Sequence, residues 1–384
     1  MKYLISMFIC LSIFFLLSAC QSTQSATKIL NSDQENNTSQ EIKDISHWIN
    51  TTPLTLSSLE GKIVLIDFWT YTCINCIRTL NYLNDWHSKY NDSGLVIIGI
   101  HTPEFEFEKN ISNVKAFVEE NKIEYAVGLD NEYSTWRSFK NRYWPAKYLI
   151  DATGEIKYQH FGEGNYNQTE KKIRELLSVS KKNISNIQPG NYPINPVDHR
   201  AFSNIYSKTL TRELYAGYVR NYSLARQGRT TPYISNSEYY SQKDTIINFK
   251  DPGNHFNQFM YINGDWLNEP QSITKANDSQ SIDESYIAIP FFARSVNMVA
   301  KPLSNKEVVI LEIMLNNKYL TEAEAGKDIK FSENGISYIV ADKPNLYNLI
   351  SLSEIQSGEL RITSKKKFSI FAFTFGAYTN TNIN

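Results

Sequence analysis

The sequence predicts two folded bodies, an α/β sheet with helices on both faces followed by an all-β sandwich, and three observations lead there. Between residues 44 and 181, continuous apolar runs alternate with segments of helical spacing, the pattern of buried strands covered by helices. After a Pro-rich linker at 182–198, which holds Pro189-Gly190, Pro193 and Pro196, short apolar or alternating segments recur between turn residues, as in antiparallel sandwiches. The 384-residue length accommodates two such domains.

In the first body, 63–69 (Ile-Val-Leu-Ile-Asp-Phe-Trp) is apolar at nearly every position, so it predicts a central strand buried on both faces. From Cys73 to about Tyr90 the spacing turns helical, with Ile77, Leu80, Leu83 and Trp86 three or four residues apart, and Gly94 stops the helix. A strand at 95–100, a helix at 114–120, a short strand at 125–129, a helical stretch at 136–139 and a strand at 147–151 follow. Ala152-Thr153-Gly154 then turns into 155–160 to make a hairpin, and 168–177 reads as a closing helix. In the second body, 199–384, strands are expected at 307–315, 336–341, 359–363 and 368–375, separated by Gly, Asn, Asp and Lys.

The first 20 residues read as an address. Lys2 precedes an apolar run at 3–17, which closes in Leu17-Ser18-Ala19-Cys20 and gives way at once to a polar tract. The run is shorter than the roughly 20 residues a spanning helix needs, although an uncleaved anchor is the alternative. Its last four residues resemble a bacterial lipoprotein box, which implies a lipidated Cys20 and a body held to a membrane outside the cytoplasm. Residues 21–43, rich in Ser, Thr, Gln and Asn, read as a flexible tether. Lys plus Arg number 39 against 40 for Asp plus Glu, a balance that excludes the broad basic footprint of a nucleic-acid binder.

Sharp chemistry concentrates at Cys73-Ile74-Asn75-Cys76, at a strand-to-helix junction. Two thiols at this spacing can close a small disulfide ring, and the free amides of a helix start favour a thiolate on the first. Cys73 is then the nucleophile and Cys76 the resolving thiol. Structural zinc uses the same spacing but needs four ligands, and none of the six His residues forms a second ligand pair. An inert staple is a further alternative, one that closes too short a loop to contribute much stability. Asp67, six residues before Cys73 inside an apolar strand, is costly there unless partnered or protonated.

The segments "DFWTYTCINC", "HTPEFEFEKN" (101–110), "YWPAKYLID" (143–151) and "FGEGNY" (161–166) together resemble the DipZ-like and TlpA-like extracytoplasmic thioredoxins. The resemblance implies a thioredoxin fold, a central mixed sheet between helices, over about 44–181. It also implies that Pro145 is a cis-proline opposite the Cys73–Cys76 disulfide, that Asp67 exchanges a proton with Cys76, and that Trp69 and Trp144 flank the substrate cleft. Glu104 is a further acid near the site, and His101 is a structural residue. Two positions depart from the usual pattern: Asn75 stands where Pro is frequent before the second Cys, and Trp144 is bulkier than the residues usual before the cis-proline.

The segments at 211–221, 264–273 and 371–378 resemble the jelly-roll domain that follows the thioredoxin part in DipZ-like proteins, which is similar to carbohydrate-binding modules. Trp266, Tyr239 and Tyr240 are candidates for an aromatic sugar platform. The implied activity is disulfide reduction in exported proteins, apocytochrome c among them. It requires no cofactor or metal and takes electrons from a membrane thiol transporter of the DsbD or CcdA type. Two alternatives remain. A thiol peroxidase of the AhpC/TSA kind would want Pro where Ile66 stands, although Thr70 fits its pattern. A non-enzymatic envelope module would bind glycans or a partner without needing either thiol.

Overall fold

The computed structural model of the chain describes residues 40–192, 209–227, 231–304 and 306–377. The leader, Cys20, the tether up to residue 39 and residues 193–198 of the linker lie outside the described residues.

The first domain is a six-stranded mixed sheet. Its strands are β1 (His47–Ile49), β2 (Ile63–Trp69), β3 (Leu95–His101), β4 (Ala126–Leu129), β5 (Ala146–Ile150) and β6 (Ile156–Phe161). They lie in the order β1-β4-β3-β2-β5-β6. β2, β3 and β4 run parallel, while β1, β5 and β6 pair antiparallel. Four helices complete the domain: α1 (Ile74–Tyr90), α2 (Ile111–Glu120), α3 (Ser134–Ser138) and α4 (Tyr166–Val179).

Alternation along β2 explains its apolar sequence. Ile63, Leu65 and Trp69 enter one core with Cys76, Leu80, Leu83 and Trp86 of α1 and with Ile173 and Leu177 of α4. Val64, Ile66 and Phe68 enter a second core with Phe139 and Tyr148, so every position faces protein. Residues 182–192, expected as linker, instead cover the first domain. Ile184, Ile187 and Tyr192 pack on its core, and Gly190 N–H donates to Glu170. That bond holds the chain on the surface it was expected to leave.

The second domain contains β7 (Leu214–Tyr215), α5 (Tyr218–Gln227), β8 (Ile246–Phe249), β9 (Tyr261–Asn268), β10 (Ile273–Lys275), β11 (Tyr286–Pro302) and β12 (Val309–Leu315). β13 (Lys318–Tyr319), β14 (Lys330–Phe331), β15 (Ser337–Ala341), β16 (Asn345–Thr363) and β17 (Phe368–Gly376) follow. The eleven strands form one antiparallel path, β14-β15-β12-β16-β11-β17-β10-β9-β8, with β13 beside β12 and β7 beside β17. The layers of the expected sandwich are continuous because two long strands belong to both. The first part of β11 pairs with β9 and the second with β17, and its register against β16 shifts between Ala293 and Ser295. Such bends carry a strand from one layer into the next. The expected short strand at 359–363 is the end of the 19-residue β16.

Among the described residues no helix is long and apolar enough to cross a membrane.

The sheet beneath the Cys73 loop depends on a small residue in β3. A Cβ on Gly99 would lie 2.8 Å from Nε1 of Trp69 and 3.2 Å from the Tyr125 ring, and both rings are buried. Gly99→Ala should therefore destabilise the protein by about 1–3 kcal/mol, read from urea denaturation; an unchanged midpoint would show that the two rings can yield.

Candidate redox site

β2 ends at Trp69, and the chain crosses the top of the sheet before α1 begins at Ile74. Cys73 is the N-cap of α1, in extended backbone conformation, and its Sγ accepts the Cys76 N–H at 3.2 Å. The two cysteines form a disulfide, with Cα atoms 5.2 Å apart. Cys73 is half-buried and Cys76 fully buried, so a thiol partner reaches the first sulfur and not the second. Once the pair is reduced, the same N–H and the positive end of the helix favour negative charge on Cys73. Among the described residues no group of three or more His, Cys, Asp or Glu side chains is arranged to hold a metal.

Asp67 lies on the β2 face that carries Leu65 and Trp69, the face that packs against Cys76. It is buried, and so is its partner, Lys147 of β5, whose Nζ stands 2.9 Å from Oδ1. Strand pairing sets Asp67 directly across from Lys147. Burial raises the Asp67 pKa and outweighs the lowering influence of the ammonium. Sequence reasoning identified the acid but not Lys147, whose signal is a lysine inside an apolar strand two residues after Pro145.

The Trp144–Pro145 peptide bond is cis. Phe68 pairs with Ala146, which sets Pro145 at the strand end where β2 gives way to the Cys73 loop. Trp144 is half-buried, tilted against Trp136 at 4.3 Å, and donates from Nε1 to the Thr102 carbonyl. Trp69 requires a correction. It is 1% exposed and packs against His101 and Phe117, so its ring belongs to the core and does not line an open cleft; alternation along β2 turns it beneath the sheet surface. His101 is fully buried, and burial lowers its pKa to about 3, which keeps it neutral.

Glu108 was not foreseen. It is fully buried in the short helical turn Glu106–Lys109. Oε1 accepts the Thr72 hydroxyl at 2.5 Å and the Thr72 N–H at 3.4 Å, while Oε2 accepts the backbone N–H groups of Glu104 and Phe105. The residue immediately before Cys73 is thus tied to the 104–105 loop through one carboxylate. A Glu three residues after a helix-start position, reaching back to backbone N–H groups, is a recognisable capping pattern and is the signal that could have identified it. Glu104 itself turns toward the second domain, where its Oε1 meets Arg220 at 2.5 Å and the Tyr215 hydroxyl at 3.0 Å.

In the second domain the three candidate aromatics form no exposed platform. Trp266 and Tyr239 are fully buried in the core, the first against Phe368. Tyr240 packs on the same core and donates to the Ile234 carbonyl. These rings fill the space between layers, the commonest use of aromatics in a sandwich. A polar cavity of about 320 Å³ lies elsewhere, lined by Asp251, His255, Tyr286, Asn317, Glu359 and Arg361. His255 there is held between Asp251 and Glu359, each at 2.7 Å.

Burial raises the Glu108 pKa from 4.5 to about 7, with Glu104 adding to the rise and the Thr72 hydrogen bond opposing it. Between those values the folded chain holds a proton that the unfolded chain has released. Stability should therefore fall as the pH rises from about 4.5 to about 7, by up to about 3 kcal/mol. Glu108→Gln should remove this fall. Urea denaturation of both proteins at about pH 4.5 and about pH 7.5 measures the difference, and parallel pH profiles would mean that Glu108 ionises normally.

Comparison with known proteins places both domains. Residues 39–159 match the AhpC/TSA family and residues 211–376 match the thioredoxin-like C-terminal domain family. Protein DipZ of Mycobacterium tuberculosis is 33% identical over 342 residues, which cover 88% of this chain and 43% of DipZ. The chain thus spans less than half the length of that relative. Thiol-disulfide oxidoreductase YkuV of Bacillus subtilis is 26% identical over 35% of this chain and 90% of its own. The crystal structure of a thiol:disulfide interchange protein DsbE from Chlorobium tepidum, described as putative, overlaps 32% of this chain and 86% of its own, at 24% identity and a TM-score of 0.30. The first domain has a thioredoxin-like fold, and the chain is similar to DipZ across both of its domains.

Proposed function

We propose that this protein is a membrane-anchored, extracytoplasmic thiol–disulfide oxidoreductase that reduces disulfides of exported proteins. The observation that carries the reading is the bond from the Cys76 N–H to the Sγ of Cys73 at the start of α1, in a pair already closed as a disulfide. In the reduced protein the Cys73 thiolate attacks one sulfur of a client disulfide. A mixed disulfide forms, and the client's other sulfur leaves as a thiolate that takes up a proton. Asp67 then accepts the Cys76 proton. The resulting thiolate attacks Sγ of Cys73, restores the Cys73–Cys76 disulfide and releases the client's second thiolate.

The raised Asp67 pKa suits a group that takes and returns that proton. Pro145 and Trp144 stand at the end of β5 where an extended client segment would lie. The apolar run at 3–17, closed by Cys20, supports export and lipid attachment. Reducing equivalents then come from a membrane thiol transporter of the DsbD or CcdA type by thiol–disulfide exchange, and apocytochrome c is one candidate client.

Cys76→Ser should accumulate mixed disulfides through Cys73, recovered from cells under non-reducing conditions and lost in Cys73→Ser/Cys76→Ser. Absence of any trapped protein, where a known thioredoxin variant traps its clients, would sink the reading. Asp67→Asn should keep the attack on a model disulfide but slow release of the mixed disulfide on the order of 10²-fold; equal release rates in stopped-flow assays would remove Asp67 from the mechanism.

A further inference from the structure

The redox pair sits against the second domain. Ile74, between the two cysteines, is only 8% exposed, and it shares an apolar cluster with Phe105 and with Tyr215, Val299, Leu346 and Phe371 of the second domain. Phe371 also packs edge-on against Phe105 and Phe107, at 5.2 and 4.8 Å.

A polar chain reaches the same loop from its other side. Arg220 of α5 lies 3.8 Å over the Tyr215 ring, and both groups hold the Glu104 carboxylate. The Glu104 backbone N–H is held by Glu108, which accepts both the hydroxyl and the N–H of Thr72. Cys73 is therefore flanked by Thr72 and Ile74, and each is linked to residues of the second domain, with Tyr215 on both routes.

We propose that the second domain is a positioning element for the dithiol: Arg220 and Tyr215, acting through Glu104 and Glu108, fix the Cys73 loop and thereby set the equilibrium between the dithiol and the Cys73–Cys76 disulfide. The inference rests on the oxidoreductase reading and deepens it by assigning part of the site to the β-domain. Its sense follows from charge and geometry. In the reduced state, Cys73 sulfur at the helix start is stabilised by the Cys76 N–H, and that bond requires the loop to hold its place. Removing Arg220 takes away a cation and frees Glu104, so the thiolate loses stabilisation and the disulfide gains relative to the dithiol. Arg220 is a positioning residue: it touches Glu104 and the Tyr215 ring and neither cysteine, its own side chain is 41% exposed, and after its loss the Tyr215 hydroxyl still donates to the Glu104 carboxylate.

The test is the equilibrium of the full chain with glutathione, in which the disulfide and two reduced glutathiones exchange for the dithiol and one glutathione disulfide. Arg220→Ala should shift the constant at least threefold toward the protein disulfide, about 14 mV at roughly 30 mV per tenfold. Tyr215→Phe, which keeps the ring and loses the hydroxyl, should shift it in the same sense. Arg220→Lys should return it to within threefold of wild type. Lys343→Ala breaks a different interdomain ion pair, to Glu120, and should leave the constant unchanged. A constant for Arg220→Ala within threefold of wild type or displaced toward the dithiol overturns the inference, as does an equal shift in Lys343→Ala. A wild-type protein that exchanges no disulfide with glutathione overturns the oxidoreductase reading instead, so the two failures are distinct.

Discussion

A helix leaves its first N–H groups without partners inside itself, and here one of those groups is satisfied by a sulfur. The bond from Cys76 N–H to Cys73 Sγ makes Cys73 the cap of α1, and in the proposed function the attacking atom as well. Much of the first domain serves to keep that cap in place. β2 delivers the chain to the top of the sheet, Glu108 holds Thr72, and the apolar face of α1 sinks Cys76 into the core while leaving Cys73 within reach. A side chain with no lone pair at position 73 would lose the cap and the chemistry together.

Four ionisable groups are buried around the site, and they are handled in three ways. Asp67 and Lys147 face one another across neighbouring strands, so that opposite charges share the desolvation that neither would tolerate alone. Glu108 instead uses backbone and hydroxyl donors, which hold a carboxyl in place whether or not it is charged. His101 has its charge removed by burial. The site is thus surrounded by groups whose protonation follows from packing, the arrangement expected where a thiol must gain and lose a proton.

The sequence made the first domain legible because its signals are local. A run buried on both faces, a change to helical spacing and a cysteine pair at the junction sit within 30 residues, and the observed ends of β2, α1, β3 and β5 lie within about one residue of those expected. Lys147 was illegible as Asp67's partner because the pairing depends on strand order and register across 80 residues. β11 escaped a pattern reading because Pro290 interrupts it. In the fold Pro290 falls in the stretch that pairs with β16 alone, where its missing N–H costs no second ladder bond. Trp266 and Tyr239 take the commoner place of aromatics in a β fold, the core.

The residue that closes over Ile74 is Phe371, and it lies on β17, the last strand of the fold. That strand sits in the middle of the sheet, between β11 and β10, so the second domain cannot close until Phe368–Gly376 has been made. During synthesis the first domain can fold earlier, with its cysteine pair open on the flank that Phe371 later occupies. The newborn chain consequently passes through an interval in which its thiols meet a wider range of molecules than the folded protein admits, and the arrival of β17 brings that interval to a close.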